Sequence, residues 1–273
     1  MQEWGSPFLA AHSAYLRHLG TTPRADVIEI DAVYAVRTGV LSNSENAVLS
    51  GSERRISSAG VRRLIAWFHE RKVPASWLCA EGTGRADDAA LLAAEGCRPE
   101  RSACEMHAQL RSLDLEPAAT PAGTRIEPVV SERRLDAWLD VAGASGWFDD
   151  RRERQALRDL NLGLSGSERW RMYVAFRDET AVGMASAFYS GATILLTALA
   201  VRPDSRRLGI GRALALTRLR EARERGCELA VLGPSPDGEQ LYKALGFETH
   251  PQPPDRWFYL PLDYARPSGS TSR

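Results

Sequence analysis

One pattern of glycines recurs about 150 positions apart in this chain, and that recurrence limits the fold more than any other feature. An offset of 151 positions aligns Ser57-Ser58-Ala59-Gly60 with Leu208-Gly209-Ile210-Gly211, and Gly82 with Gly233, without a gap. An offset of 150 pairs Gly96 with Gly246, in Leu92-Ala93-Ala94-Glu95-Gly96-Cys97 and Tyr242-Lys243-Ala244-Leu245-Gly246-Phe247. In the first copy Val61, Leu64, Ile65 and Phe68 fall on one helical face, spaced i, i+3, i+4, i+7. Internal duplication accounts for the match; two unrelated α/β units sharing ordinary strand–helix–strand spacing also would. A chain of 273 residues has room for two domains of roughly 100–150 residues.

Composition removes several functional classes. Hydrophobic residues make up 44% and charged residues 26%, too apolar for general disorder. Lys plus Arg equals Asp plus Glu at 35 each, so the net positive charge that a phosphate backbone demands is missing, and no nucleic-acid partner is expected. The most apolar strand-like run, Ala192 to Val201, is about half the length of a spanning helix, so no membrane partner is expected either. The four cysteines, Cys79, Cys97, Cys104 and Cys227, form no Cys-x-x-Cys pair and have no histidine at zinc spacing, so no metal site is expected. Three lie in apolar surroundings, as buried reduced thiols of a cytoplasmic protein would. The start, Met1-Gln2-Glu3-Trp4, lacks a basic segment followed by an apolar core and does not read as a secretory signal. A monomer and a homodimer are both compatible with this surface chemistry.

The stretch Glu116-Pro117-Ala118-Ala119-Thr120-Pro121-Ala122-Gly123 separates two patterned halves. The expected division is a first domain over 1–118, a linker over 119–124, a second domain over 125–265 and a disordered tail over 266–273. In the second half a strand over 125–130 leads to Ser131, a good N-cap for a helix bearing Leu135, Trp138, Leu139 and Ala142. A polar helix is expected over 151–162, its Arg151-Arg152-x-Arg154 run forming a solvated face. Strands follow over 170–177, 181–190 and 192–201, joined at Asp178-Glu179 and Ser190-Gly191 as hairpins would be. A helix over 211–225 stopping at Gly226, a strand over 228–232, a helix over 238–245 and a last strand over 257–260 complete the half. Antiparallel strands entering a strand–helix–strand crossover make this an α/β (α+β) domain.

The segment with chemistry in it is Leu199-Ala200-Val201-Arg202-Pro203-Asp204-Ser205-Arg206-Arg207-Leu208-Gly209-Ile210-Gly211-Arg212. It runs strand, loop, helix start, with Arg-x-x-Gly-x-Gly at the helix N-terminus. Amides in a helix's first turn lack intrahelical partners and the helix dipole favours negative charge there, so this is an anion cradle. Gly209 and Gly211 admit a pyrophosphate close to the backbone and permit positive φ. Arg206, Arg207 and Arg212 add charge-assisted donors. The dinucleotide fingerprint Gly-x-Gly-x-x-Gly fails because Leu214 stands at its third glycine, and no Gly-Lys-Ser/Thr completes a P-loop.

This segment resembles motif A of the GCN5-related N-acetyltransferase (GNAT) superfamily. Ser235-Pro236-Asp237-Gly238-Glu239-Gln240-Leu241-Tyr242-Lys243-Ala244-Leu245-Gly246-Phe247 is similar to its motif B. The resemblance covers about 125–262, and with the degenerate first half the chain resembles tandem members. It implies two GNAT-like domains, each a mixed, mostly antiparallel splayed sheet flanked by helices. It further implies acetyl-CoA as cofactor, its pantetheine along Leu199, Ala200 and Val201, its pyrophosphate ringed by Arg206, Arg207, Leu208, Gly209, Ile210, Gly211 and Arg212, and Ser235 touching it or simply capping a turn. Tyr242 would stand near the thioester sulfur, where a phenol with pKa of about 10 can protonate a departing thiolate; packing on an amphipathic helix is its other reading. In the first copy Arg55 matches Arg206, but Ser58 replaces Gly209 and Leu92 replaces Tyr242, which suits a structural or substrate-shaping partner.

An alkyl ammonium with pKa of about 10.4 must lose a proton before it attacks, a cost of about 4.6 kcal/mol at pH 7. Relatives often keep a glutamate on the fourth strand for this, yet here the strand reads Leu196-Thr197-Ala198-Leu199, leaving the base unassigned. In relatives the loop after the first helix lines the acceptor site. Here it holds Trp147, Phe148, Asp149 and Asp150, the aromatics as wall or core and the aspartates as base or helix cap. His250 reads as a loop histidine. The expected activity is acetyl-CoA-dependent N-acetylation of a primary amine on a small molecule by direct attack; the other reading is a noncatalytic acyl-CoA-binding sensor or interaction module.

Overall fold

The computed structural model describes residues 5–42, 44–51, 56–79, 85–99, 105–116, 121–250 and 257–260. Arg55, Gly82, Cys104, the tail over 266–273 and part of the 119–124 linker lie outside the described residues. The chain divides into two compact units, one within Met1–Ser102 and Gln252–Arg273, the other within Ala103–Pro251.

The first unit opens with α1 (Pro7–Leu19), capped where the Ser6 hydroxyl accepts the Leu9 amide at 3.1 Å. A hairpin of β1 (Asp26–Ile30) and β2 (Val33–Arg37) turns through Asp31 and Ala32 at φ 50° and 60°, which matches the right-handed twist of its strands. Then come β3 (Ala47–Ser50), α2 (Ser58–Arg71), β4 (Ser76–Cys79), α3 (Arg85–Ala94) and β5 (Arg98–Pro99). The predicted apolar face of α2 is buried at Val61, Leu64 and Phe68, against Val48, Trp77 and Cys79 of the sheet. Leu92, on α3, is part of the same core.

The second unit contains β6 (Glu105–Gln109), β7 (Thr124–Pro128), α4 (Glu132–Ala144), α5 (Arg151–Leu164), β8 (Trp170–Arg177), β9 (Thr180–Ser190) and β10 (Thr193–Val201). After β10 come α6 (Ile210–Glu224), β11 (Leu229–Leu232), α7 (Pro236–Lys243) and β12 (Glu248–His250). Apart from β6 and β12, which the sequence did not announce, these match the expected helices and strands within a few residues. Leu135, Trp138, Leu139 and Ala142 of α4 are buried as their spacing predicts, and the Trp138 indole donates to the Ala185 carbonyl at 3.2 Å.

Two strands depart from the sequence-based layout. The sheet of the second unit runs β12-β6-β11-β10-β9-β8-β7, so β6, from the expected first domain, lies between β11 and β12. The sheet of the first unit runs β1-β2-β3-β4-β13-β5, where β13 (Trp257–Tyr259) was expected to complete the second half. Side-chain chemistry explains both placements. Met106 and Ala108 of β6 enter the core that includes Leu216, Leu219 and Leu232, while Phe258 of β13 enters the core around Trp77. Downstream of β6, Arg220 of α6 donates to the Leu115 carbonyl at 2.6 Å and Arg223 donates to that of Leu113 at 2.6 Å. The backbone over 110–116 is thereby fastened to α6, although no hydrophobic periodicity announces it.

The feature that shapes the site is where β10 and β11 part. Their parallel pairing runs from Thr193 opposite Leu229 to Leu195 opposite Val231 and then stops, while β10 continues to Val201 against β9 alone. The sheet is therefore splayed over the last part of β10. There, between Thr197 and Leu199, the register with β9 slips by one residue, leaving Ala198 at φ 38° in a β-bulge.

Candidate active site

The start of α6 faces this opening. Its N-cap, Gly209, has φ 82° and no side chain with which to cap the helix. The amides of its first turn therefore keep their donors free of intrahelical and side-chain acceptors. A Cβ at Gly209 would find only the Pro121 ring, at 3.6 Å, so positive φ and space above the amides, rather than crowding within the protein, favour glycine. The helix sits close to β9 because a Cβ on Gly183 would come within 2.9 Å of Leu214 and 3.0 Å of Ile210. A Cβ on Gly211 would stand in ordinary contact with Leu199, Val201 and Leu241, so the end of β10, the start of α6 and α7 lie close together.

Around this cradle Arg206, Arg207 and Leu208 are exposed and Arg212 is half-buried. Arg206 Nε donates to the Val201 carbonyl at 3.2 Å, pinning the loop to the strand end. Among the described residues, none of Arg206, Arg207 and Arg212 pairs with a carboxylate. Their charge is available to an anion at the helix start. Leu199, Ala200 and Val201 lie beyond the last β10–β11 pair, on the splayed edge. Ser235 caps α7, its hydroxyl accepting the Gly238 amide at 3.2 Å.

Tyr242 is 5% exposed, its ring edge-on to Phe247 at 5.3 Å, and its phenol oxygen accepts a hydrogen bond from Arg218 Nη2 at 3.0 Å. Arg218 is fully buried, and the motif reading passed over it. A signal was present: position 218 lies on the apolar stripe of α6 with Leu214 and Ala222, where a charge is out of place unless something inside needs it. Glu221, one turn on, is occupied elsewhere by the Tyr173 hydroxyl, by Arg171 at 3.4 Å and by Arg225 at 3.4 Å. Burial, and then this bond to Glu221, push the Tyr173 phenol above its ordinary range.

Strand β10 carries no carboxylate; Thr197 instead shares a 2.8 Å hydrogen bond with Ser186. In the loop after α4, Trp147 is 43% exposed and stands edge-on to Trp138 at 5.9 Å, while Phe148 packs over Gly143. Asp150 caps α5, accepting the amides of Arg152 at 2.7 Å and Glu153 at 2.9 Å. Asp149 is exposed, and its amide donates to Glu153 at 3.1 Å. Arg151 and Arg152 are exposed, as a solvated face would be, while Arg154, and Arg158 one turn on, bond back to Asp136, Asp140 and Glu132 of α4. His250, expected in a loop, lies in β12 with its ring 6.1 Å from His107.

The corresponding helix start in the first unit is closed. Ser57 accepts the Gly60 amide at 3.0 Å, and the Asp31 carboxylate accepts the Ser57 hydroxyl at 2.9 Å and its amide at 3.2 Å. A Cβ on Gly60 would lie 2.6 Å from that carboxylate. A carboxylate of the protein thus already lies at this helix start, and Leu92 is buried where the second copy has Tyr242.

The Acetyltransferase (GNAT) family profile matches residues 134–247. Two mycothiol acetyltransferases are similar to the chain. That of Thermomonospora curvata is 29% identical over 167 residues, covering 58% of this chain and 56% of the relative. That of Streptomyces coelicolor is 27% identical over 201 residues, covering 62% and 64%. The chain thus spans less than two thirds of the length of either curated relative. Among solved structures, a GCN5-related N-acetyltransferase from Kribbella flavida superposes with TM-score 0.64 at 18% identity, covering 94% of this chain and 97% of that one. A tandem GNAT protein from the clavulanic acid biosynthesis pathway superposes with TM-score 0.51 at 17% identity, covering 88% and 83%. Both likenesses speak for the fold of two GNAT-like domains. Residues 134–247, with the splayed strand and open helix start they contain, form an acetyltransferase domain of the GNAT family.

Proposed function

We propose that the second unit transfers an acetyl group from acetyl-CoA to a primary amine of a small molecule by direct attack. The observation that carries this reading is the convergence of an uncapped helix start at Gly209, an unpaired strand edge over Leu199–Val201 and the Tyr242 phenol. The cradle suits a diphosphate, since a Cβ at Gly209 would meet nothing closer than the Pro121 ring at 3.6 Å above the free amides. Bound there, acetyl-CoA supplies an activated acetyl thioester. The amides of Leu208 to Arg212, with Arg206, Arg207 and Arg212, hold its phosphates, and the main chain of Leu199, Ala200 and Val201 holds the pantetheine. As the new C–N bond forms and the C–S bond breaks, the nitrogen would release a proton to water and Tyr242 would give its own to the sulfur. Ser235 is engaged in capping, which leaves one of its lone pairs for the cofactor.

For the acceptor, Trp147 and Phe148 offer an apolar wall and Asp149 a solvent-facing carboxylate; Asp150 is committed to its cap. The buried cysteines Cys79, Cys97 and Cys227 suit a reducing cytoplasm. Because two relatives bear the name mycothiol acetyltransferase, the acceptor panel starts with the substrate of that enzyme. The noncatalytic acyl-CoA sensor keeps one observation in its favour, the missing carboxylate on β10. Thiol release from acetyl-CoA, measured across an amine panel, separates the two readings. Tyr242→Phe is expected to lower kcat by about 100-fold or more while CoA binding by calorimetry persists. CoA binding without turnover on any amine would establish the sensor.

A further inference from the structure

We propose that Arg218 is a positioning residue for the acetyl transfer, clamping the Tyr242 oxygen to the bulge of β10 so that the phenol's proton is presented to the leaving sulfur. This inference rests on the acid role of Tyr242. The guanidinium is fully buried and reaches four acceptors, one on its own helix and one on each of three other elements. Nη1 donates to the carbonyls of Ser186 on β9 and Thr197 on β10, both at 2.9 Å. Nη2 donates to Tyr242 Oη on α7 at 3.0 Å, and Nε to the Leu214 carbonyl of α6 at 3.3 Å.

Each bond has a physical reason. Where Ala198 bulges out of the ladder, carbonyls on both strands lose regular partners, and buried acceptors must be satisfied from elsewhere. Among the described residues no carboxylate pairs with Arg218, so its charge is met by carbonyl dipoles and the phenol oxygen alone. A cation kept in a dry interior without an anion is costly, and an apolar residue on this stripe would pack without that cost. What an apolar residue would not do is set the direction of the phenol. Guanidinium has donors only, so Tyr242 must accept from it, and its own O–H must point away. No described residue takes that proton. When the proton passes to the thiolate, the phenoxide left behind keeps a charge-assisted bond from Arg218. The same fork fixes the bulge immediately before Leu199, so acid and splayed strand are held in one register. A lysine retains the charge but presents no planar fork and reaches fewer of these acceptors.

The test is a double-mutant cycle on the full chain with Arg218→Lys, Arg218→Met, Tyr242→Phe and the Arg218→Lys/Tyr242→Phe pair, read by CoA calorimetry and by kcat and KM for thiol release. Arg218→Lys is expected to bind CoA and keep KM within about twofold, while kcat falls about 10- to 100-fold. Added to Tyr242→Phe, the same change should lower kcat less than about twofold further, because the group it positions is gone. Multiplying effects, or a wild-type kcat in Arg218→Lys beside a slowed Tyr242→Phe, would overturn the clamp and leave the acid role standing. A wild-type kcat in Tyr242→Phe would overturn the acid role, and the clamp with it. Failure of both Arg218 variants to fold would assign the residue to folding alone and likewise overturn the proposal.

Discussion

Gly209→Ala separates the two reasons for a glycine at the start of α6. The added methyl meets nothing in the protein closer than the Pro121 ring at 3.6 Å, so the cost to the free protein comes from the backbone at φ 82°. An L-residue there costs about 1–2 kcal/mol, equivalent to a fall in Tm of about 2–8 °C for a unit of this size. The cost to the complex is of another kind. In the proposed complex the methyl would occupy the space through which phosphate oxygens reach the amides, and losing one charge-assisted bond costs about 1.5–3 kcal/mol, or about 10- to 150-fold in Kd. Pantetheine lacks the diphosphate and, in the proposed complex, would rest on Leu199–Val201, so it should keep its affinity within about twofold. Thermal melts with calorimetry of both ligands read the two effects separately. A Gly209→Ala protein that melts lower yet binds CoA as tightly as wild type would refute the placement of the diphosphate.

Two further outcomes follow from the first unit. Its helix start is filled by Ser57 and Asp31, so calorimetry should return one CoA per chain, and a stoichiometry of two would contradict the self-capped reading. Burial lowers the His12 pKa from 6.5 to about 4. As pH falls through 6.5 the unfolded chain takes up this proton and the folded chain does not until about pH 4. Stability is therefore lost across that window, on the order of 3 kcal/mol at its acid end, with no contribution above it. The ring lies among Phe8, Tyr15 and Trp257, which makes His12→Phe a neutral replacement. Denaturant unfolding at pH 7.5 and 4.5 should show a smaller pH loss in His12→Phe, and an equal loss in both proteins would exclude His12 as its source.

The sequence by itself determined what depends on neighbours a few residues apart. The buried faces of α2 and α4, the caps at Ser131 and Asp150, the hairpin at Asp178-Glu179 and the Arg-rich glycine turn into α6 were all legible, because helix periodicity, capping and turn geometry are short-range effects. Only the tertiary structure decided which sheet receives β6 and which receives β13, since a short apolar strand pairs with whichever edge its core side accepts. It also decided that Arg218 meets Tyr242 at a bulge, and that Asp31 closes the helix start 26 positions further along the chain. These contacts join groups whose separation along the chain says nothing of their distance in space. Hydrogen bonds and charges act over a few ångströms, so their partners exist only once the sheets have formed.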